Sequence, residues 1–223
     1  MNNKSELKQK LTGQSKRDDL RRRLLDATTA RIEKAGLLSL RARDVTQDAG
    51  CALGALYTAF EDLDELILAV NAQTLQAIDQ QMEQAISSQG DAGQRLRVLG
   101  QTYLSFALAH ENLWRALFEH KFPDNRPLPE WLMANQVQLL SRIASPLADL
   151  LPDFNEQELL LRTRTMFAAV HGIVSISLDN RFVGLPTDTL GHEVDNFILL
   201  LLAGLLVSKN EIAEASPAPI PQL

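Results

Sequence analysis

The sequence predicts an all-α chain: an N-terminal three-helix helix-turn-helix unit followed by a larger helical domain. Three observations predict it. Apolar residues recur at spacings of three and four along most of the 223 residues, with no strand-like alternation and no internal repeat. Glycine, proline and serine gather at a few points, such as 87–93 and 121–129, and cut the chain into helix-length pieces. Between two short pieces lies Gly50-Cys51-Ala52, where a glycine can take the left-handed conformation that stops a helix.

Composition limits the possible function. The nine prolines, eleven glycines and 45% hydrophobic residues are ordinary for a globular chain and too balanced for a disordered one. Residues 1–16 are polar without an apolar core, so no secretory leader is expected. The longest apolar run, 197–207, has eleven residues, short of the ~20 a membrane span needs. A single cysteine, Cys51, rules out an internal disulfide and fits a reducing compartment, so a soluble cytoplasmic protein is expected. The net charge of −6 is unevenly spread. Residues 1–43 hold twelve Lys/Arg against five Asp/Glu, whereas 44–94 hold nine Asp/Glu and no Lys or Arg. Attraction to phosphate must therefore come from the N-terminal segment.

In chain order, residues 1–15 are polar, mixed in charge and without a helical stripe, and are expected to be a flexible arm. From Lys16, Leu24, Thr28 and Ile32 recur every four residues, with Leu20 and Leu25 alongside, and Gly36 after Lys34 stops this first helix. Arg17, Arg21, Arg22 and Arg23 crowd its early turns, either gripping phosphates or forming a solvated face. Ser39 is an expected N-cap for the helix that carries Arg43. Val45, Ala49, Leu56 and Phe60 then fall on the inner faces of two short helices around Gly50. The second of these opens on Ala52-Leu53-Gly54-Ala55, side chains short enough for close approach, and is the candidate reader of a DNA major groove.

Asp62 with Glu65 three residues later has the form of a capping box, a cation site being the sharper alternative. The helix that follows runs to about residue 87 through Leu66, Val70, Leu75, Ile78 and Met82 and ties the reader to the rest. Further helices are expected at 94–110, 111–120, 130–150 (bent at Pro146), 155–179 and 187–209, with a tail at 211–223. The domains expected are thus 16–70, with its connecting helix continuing to about 87, and 88–210.

The pattern Arg43-Asp44-Val45, Ala49-Gly50, then Gly54-x-Leu56-Tyr57-x-x-Phe60 resembles the tetracycline-repressor (TetR) family of transcriptional regulators, from about residue 17 to 70. The resemblance implies that Arg43 and Arg41 anchor phosphates while the reader helix enters the groove. Ala52, Leu53 and Ala55 would meet thymine methyls, with Gly54 allowing the approach, and Thr58 would exchange a hydrogen bond. Tyr57 would offer its hydroxyl to a phosphate. Three positions depart from the commonest pattern: Ala52 replaces Ser/Thr, Ala59 stands where histidine is frequent, and Leu63 where a lysine usually touches the backbone. Each departure removes a hydrogen bond or a charge, so weaker and less salt-dependent binding is expected, offset by the basic N-terminal segment.

The final helix carries Val194, Phe197, Ile198, Leu201, Leu202, Leu205 and Leu206 on one broad face, which suits either a core or a second subunit. In TetR-like regulators the last two long helices build a dimer through a four-helix bundle, and the resemblance implies a homodimer through 155–179 and 187–209. Two readers on one two-fold axis would match a palindromic duplex site. Tyr103, Phe106, His110, Trp114 and Phe118 recur at three and four, as do Phe167, Val170 and His171 on a later helix. Such a set suits a small-molecule pocket, and for any single residue a helical core still better. Ala169-Val170-His171-Gly172, with Trp114 and Phe118, also resembles a TetR branch with a His-Gly step in its C-terminal domain.

The four histidines show no metal-ligand spacing, and no phosphate loop, nucleophile elbow or paired-cysteine motif is present. No enzyme activity, metal or cofactor is therefore expected. The partners expected are operator DNA, an unidentified small-molecule effector and a second copy of the chain, with no membrane. A small-molecule or protein-interaction module with weakened DNA reading is the alternative.

Overall fold

The computed structural model describes residues 3–86, 90–121, 129–179 and 183–212. Among them every regular element is helical: α1 (Asn3–Ala35), a 3-10 turn (Leu37–Ser39), α2 (Ala42–Asp48), α3 (Leu53–Ala59), α4 (Leu63–Ala85), α5 (Ala92–Ala109), α6 (Glu111–Glu119), α7 (Glu130–Leu150), α8 (Glu156–Leu178) and α9 (Thr187–Ile212). The chain packs as two compact units. The first holds Met1–Ala77 and Ala109–Asn135, the second Ile78–Leu108 and Gln136–Leu223, and α4 contributes to both.

In the first unit Leu24 and Ile32 of α1, Val45 of α2, Leu56 and Phe60 around α3, and Leu66 of α4 are all at most 2% exposed and share one apolar core. The spacing of four along α1 therefore does select its buried stripe, and Thr28 on that stripe satisfies its hydroxyl by donating to the Leu24 carbonyl at 2.7 Å. Gly36 ends α1 at φ +74°, its N–H closing the last turn onto the Ile32 carbonyl at 2.8 Å. The helix α6 packs here as well. Asn71 Nδ2 of α4 donates to the Ala116 carbonyl at 3.2 Å, and Asn112 Nδ2 donates to the Glu33 carbonyl at 2.9 Å. This unit thus includes a helix that spacing alone groups with 88–210.

Two local expectations are corrected. α1 begins at Asn3, so most of the segment expected to be a flexible arm is helical. Its lysines, glutamines, glutamate and leucines are good helix formers, and a weak apolar stripe does not prevent helix. Ser39 caps nothing ahead of it: its hydroxyl donates back to the carbonyls of Ala35 and Gly36, and the N-cap of α2 is Arg41, without a side-chain cap. Pro146 lies inside α7, which continues to Leu150, leaving the Arg142 carbonyl without its usual amide donor. The start of α4 follows expectation, with Glu65 N–H donating to Asp62 Oδ1 at 2.7 Å and Glu61 N–H to Glu65 Oε2 at 2.5 Å. Of the expected tail, Glu211 and Ile212 continue α9 and the rest lies outside the described residues.

The second unit is built from α5, α7, α8, α9 and the C-terminal part of α4. α8 opens on a full capping box, Asn155 Oδ1 accepting from Glu158 N–H at 3.0 Å while Glu158 Oε2 accepts from Asn155 N–H at 2.9 Å. α5 lies close on α9 because Gly100 has no side chain; a Cβ there would run into Ile198 Cδ1. The same pair of helices is tied by Arg97, whose Nε and Nη2 meet both oxygens of Asp195 at 2.7 and 2.6 Å, and by Gln101 Nε2 donating to the Gly191 carbonyl at 2.6 Å. Hydrogen bonding from Arg97 holds the Asp195 carboxyl below the usual range, against the opposing effect of burial. Arg142 of α7 makes the matching link to α4, at 2.7 and 3.0 Å from the two oxygens of Asp79.

By length and mean hydropathy, α8 and the part of α9 from Thr187 to Val207 are each long and apolar enough to cross a bilayer. Run length misses this because isolated polar residues break the run while the average stays high. Each helix buries one stripe, Met166, Val170 and Val174 on α8 and Val194, Ile198 and Leu202 on α9. The other stripe is bare: Leu160, Leu161, Ile176, Leu199, Leu200 and Val207 are 40–72% exposed.

Candidate functional site

Two places in the described residues have the makings of a site, one in each unit. The first is the outer face of α3. Gly50, at φ +63°, turns the chain out of α2, and Cys51 N–H closes the turn on the Thr46 carbonyl at 2.9 Å. α3 then starts from Ala52, which offers no side-chain cap, as the departure from Ser/Thr implies. Leu56, Ala59 and Phe60 face inward. Ala52, Leu53, Gly54, Tyr57 and Thr58 are exposed, Ala55 is half-buried, and a Cβ on Gly54 would meet nothing within 4 Å. Tyr57 is 56% exposed, an unusual placement for an aromatic that has a core next to it. Thr58 Oγ1 donates to the Gly54 carbonyl at 3.2 Å, which leaves the oxygen's lone pairs to accept. Ala59, at 2% exposure, is a core position, so the side chain there is not on the face that the departures were meant to describe.

The arginines of α1 are largely engaged within the fold. Arg21 lies 4.0 Å over the Phe60 ring, donates to the Ala59 carbonyl and stands 3.7 Å from Glu65. Arg23 donates to the Ala49 carbonyl and, through Nε, to Asp19 at 3.0 Å. The two guanidiniums thus serve the C-terminal ends of α3 and α2, where backbone carbonyls lack intrahelical donors. Arg22 pairs with Asp19 and Asp26 on its own helix, and hydrogen bonds from Arg22 and Arg23 hold the Asp19 carboxyl low. Arg31 binds Asp48 and stands 3.5 Å from Asp44. Sequence spacing leaves these arginines between phosphate grip and solvated face; the third role escapes it, because their partners are distant in sequence. Arg41 is exposed and donates to the Leu38 and Leu40 carbonyls at 3.1 and 2.9 Å. Lys16, Arg17 and Arg43 are exposed and carry no ion pair among the described residues.

The second place is a small cavity of about 30 Å³ within the second unit. Met82 of α4, Leu99 and Tyr103 of α5, and Met166, Phe167 and Val170 of α8 form most of its wall, which Ile143 of α7 and Ile198 of α9 complete. Tyr103 Oη and His171 Nδ1 are 2.9 Å apart, the Phe167 ring stands edge-on to Tyr103 at 5.7 Å and stacks on His171 at 5.8 Å. Burial pushes the His171 imidazole below its ordinary range, so it is neutral near pH 7, and the tyrosine donates to it.

Of the aromatic set picked from spacing, Tyr103, Phe167 and Val170 line this cavity and His171 joins through Tyr103. Phe106 is buried on α5 but is not part of the wall. His110, Trp114 and Phe118 belong to the first unit: His110 Nδ1 is 2.7 Å from Glu33, and the buried Trp114 packs its ring 5.5 Å from Phe118. The set is divided because His110 breaks the helix, at φ −132° and ψ 48°, so residues beyond it lose phase with those before it. The aliphatic wall is invisible to a search for aromatics.

These features define a helix-turn-helix protein with a helical second unit. Residues 96–197 match the tetracyclin repressor-like, C-terminal domain family. The chain has the fold of solved TetR-family transcriptional regulators. The match does not single out the branch with the His-Gly step. A protein of unknown function from Rhodococcus sp. RHA1 is 22% identical, with a TM-score of 0.68 over 83% of this chain and 94% of that one. The TetR-family regulator PfmR from Thermus thermophilus is 16% identical, with a TM-score of 0.57 over 82% and 98%. The regulator FadR from Bacillus subtilis, solved in complex with stearoyl-CoA, is 15% identical, with a TM-score of 0.63 over 82% and 97%. No curated protein sequence matches the chain.

Proposed function

We propose that this chain is a ligand-responsive repressor that binds a palindromic operator as a homodimer and lets go when a small molecule occupies its second unit. The observation that carries the reading is the two-sided α3: Leu56 and Phe60 hold it to the core while Leu53, Gly54, Tyr57 and Thr58 stand on its open side. An element anchored on one face and bare on the other suits insertion into a major groove. Arg43 and Arg41 flank it as phosphate contacts, with Lys16 and Arg17 supplying further positive charge. The functional division is 16–70 for DNA, with α4 as the lever, and 88–210 for effector and dimer.

The bare apolar stripes of α8 and α9 support the dimer. Gly172 and Gly204 add to this, since a Cβ on either would meet nothing within 4 Å and a facing helix could come close. The same stripes explain the high hydropathy without a membrane, and Asp195 on α9 is bound to Arg97 inside the unit. The protein acts in the cytoplasm and by binding rather than catalysis. Effector and DNA are coupled through the difference in the effector's affinity for the two conformations.

A second reading has one observation in its favour: Arg21, Arg22, Arg23 and Arg31 have partners inside the fold, which reduces the charge left for phosphate. On that reading the chain is an effector-binding module with weakened DNA reading. Selection of random duplex DNA by the purified protein, at low and moderate salt, separates the two. One palindrome recovered at both salts supports the repressor; no enriched sequence at either supports the module. Whether a recovered site overlaps a promoter or lies upstream of it then decides repressor against activator.

A further inference from the structure

We propose that the cavity of the second unit takes a neutral, predominantly hydrocarbon ligand bearing one hydrogen-bonding group, and discriminates against ligands with a charged head. This deepens the proposed function by naming the class of effector, and rests on that reading only for the effect on DNA.

The wall itself carries the argument. Among the described residues lining the cavity none is charged, and the Tyr103 hydroxyl is the one oxygen or nitrogen that any of their side chains carries. Of the charged groups on the surrounding helices, Arg97 is bound to Asp195, Arg142 to Asp79 and Glu83, and Arg95 to Asp149, while Arg162 of α8, whose Nε is buried without a hydrogen-bond partner, is not part of the wall. A carboxylate or ammonium brought into this wall would lose its hydration and find no counter-charge, a loss far larger than that of a hydroxyl. One polar atom of the ligand, by contrast, has a place to go. It joins the Tyr103–His171 hydrogen bond by donating to the tyrosine oxygen, whose own proton goes to the imidazole that its half-buried position keeps uncharged. Phe167 stacks on His171 and stands edge-on to Tyr103, so the polar pair is held in one place beside a wall that is otherwise hydrocarbon and thioether.

Size agrees with an apolar occupant. A cavity of about 30 Å³ must widen before it accepts a ligand, since such sites span roughly 300–1,000 Å³. Met82 and Met166, unbranched and polarisable, both line the wall and can change rotamer at little expense. Widening exposes only hydrocarbon surface, which a hydrocarbon ligand covers again.

The test uses the full chain and the neutral fluorophore N-phenyl-1-naphthylamine, displaced in turn by 1-octanol, octanoate and octylammonium. These share one tail and differ in the charge of the head. Saturable uptake of the probe is expected, with octanol displacing it at a concentration at least about ten-fold below that needed for either ion. Failure to take up the probe, or an ion that competes as well as octanol, overturns the proposal. Val170→Trp should fill the cavity and abolish saturable uptake with the helical circular dichroism intact; unchanged uptake would put the probe on the bare faces of α8 and α9 and overturn it. If that variant does not fold, Leu99→Ala, which enlarges the cavity, must raise probe affinity. Tyr103→Phe should weaken octanol roughly three- to ten-fold; unchanged octanol binding overturns the role of the pair. Retention on operator DNA is read separately. Octanol binding without DNA release means that the regulatory reading fails while the ligand class stands, and release by the ions alone means the reverse.

Discussion

Arg31 near the C-terminal end of α1 donates to both carboxylate oxygens of Asp48, the last residue of α2, from Nε at 2.6 Å and Nη2 at 2.9 Å. Hydrogen bonding to Asp48 holds the Arg31 guanidinium even more firmly protonated than usual. The pair is half-exposed, so its part is to set the angle of α2 more than to add stability. Arg31→Ala is expected to lower DNA affinity with little change in the thermal midpoint, and the double variant Arg31→Asp, Asp48→Arg to recover part of it. Binding titrations on one duplex check both.

The salt dependence of DNA binding should separate two kinds of arginine. Arg43→Ala removes an exposed cation and should reduce the slope of log affinity against log salt by about one. Arg21→Ala removes a guanidinium bound to the Ala59 carbonyl and stacked on Phe60, and should weaken binding while leaving the slope unchanged. An equal change of slope in both variants would count against this division.

Leu56 is fully buried beneath the reader. Leu56→Ala should destabilise the first unit by about 2–5 kcal/mol, the loss expected for a large-to-small change in a packed core. Tyr57→Phe, on the opposite side of the same helix, should leave stability unchanged and lower DNA affinity. Chemical denaturation beside a binding titration reads the contrast.

Leu200, at 72% exposure on α9, should matter only in the assembly. Leu200→Glu is expected to convert a dimer to a monomer in analytical ultracentrifugation while helical content is kept. A dimer that survives this change would move the interface elsewhere.

Acid should weaken the second unit through His171. Burial lowers its folded pKa from the ordinary 6.5, so as pH falls through 6.5 the unfolded chain takes up the proton first. Stability therefore declines below about pH 6.5 and levels off once the folded histidine is protonated too. His171→Gln should flatten that part of the curve, measured as thermal midpoint against pH.

Local rules carried most of the helix-turn-helix. Gly50 announces its own turn, and the inward set of Val45, Leu56 and Phe60 follows from spacing alone. Asn155 with Glu158 likewise marks the start of α8 in four consecutive residues. What could not be read depends on partners far apart in the chain. Ser39 has a capping residue's chemistry, yet its hydroxyl found nearer carbonyls behind it. Arg21 and Arg23 look like surface charge until α2 and α3 bring their carbonyl ends alongside. Tyr103 and Trp114 share a helical period in sequence, but the break at His110 lies between them and sends them to different units. The aliphatic half of the cavity wall has no signature at all, because leucine, isoleucine and methionine there look like any core.

If the effector binds in this cavity, as proposed, the cavity's small size has a bearing on dose. In the resting chain the space beside Tyr103 is nearly shut, so any effector binds only the rare molecules that have opened. Its apparent affinity is then its intrinsic affinity scaled down by that open fraction. Such a sensor ignores traces and answers above a threshold, and the threshold is set by how tightly α5 closes on α9 as much as by contacts with the effector. Loosening Gly100 against Ile198 would therefore shift the concentration at which genes respond, with every residue that touches the effector left as it was.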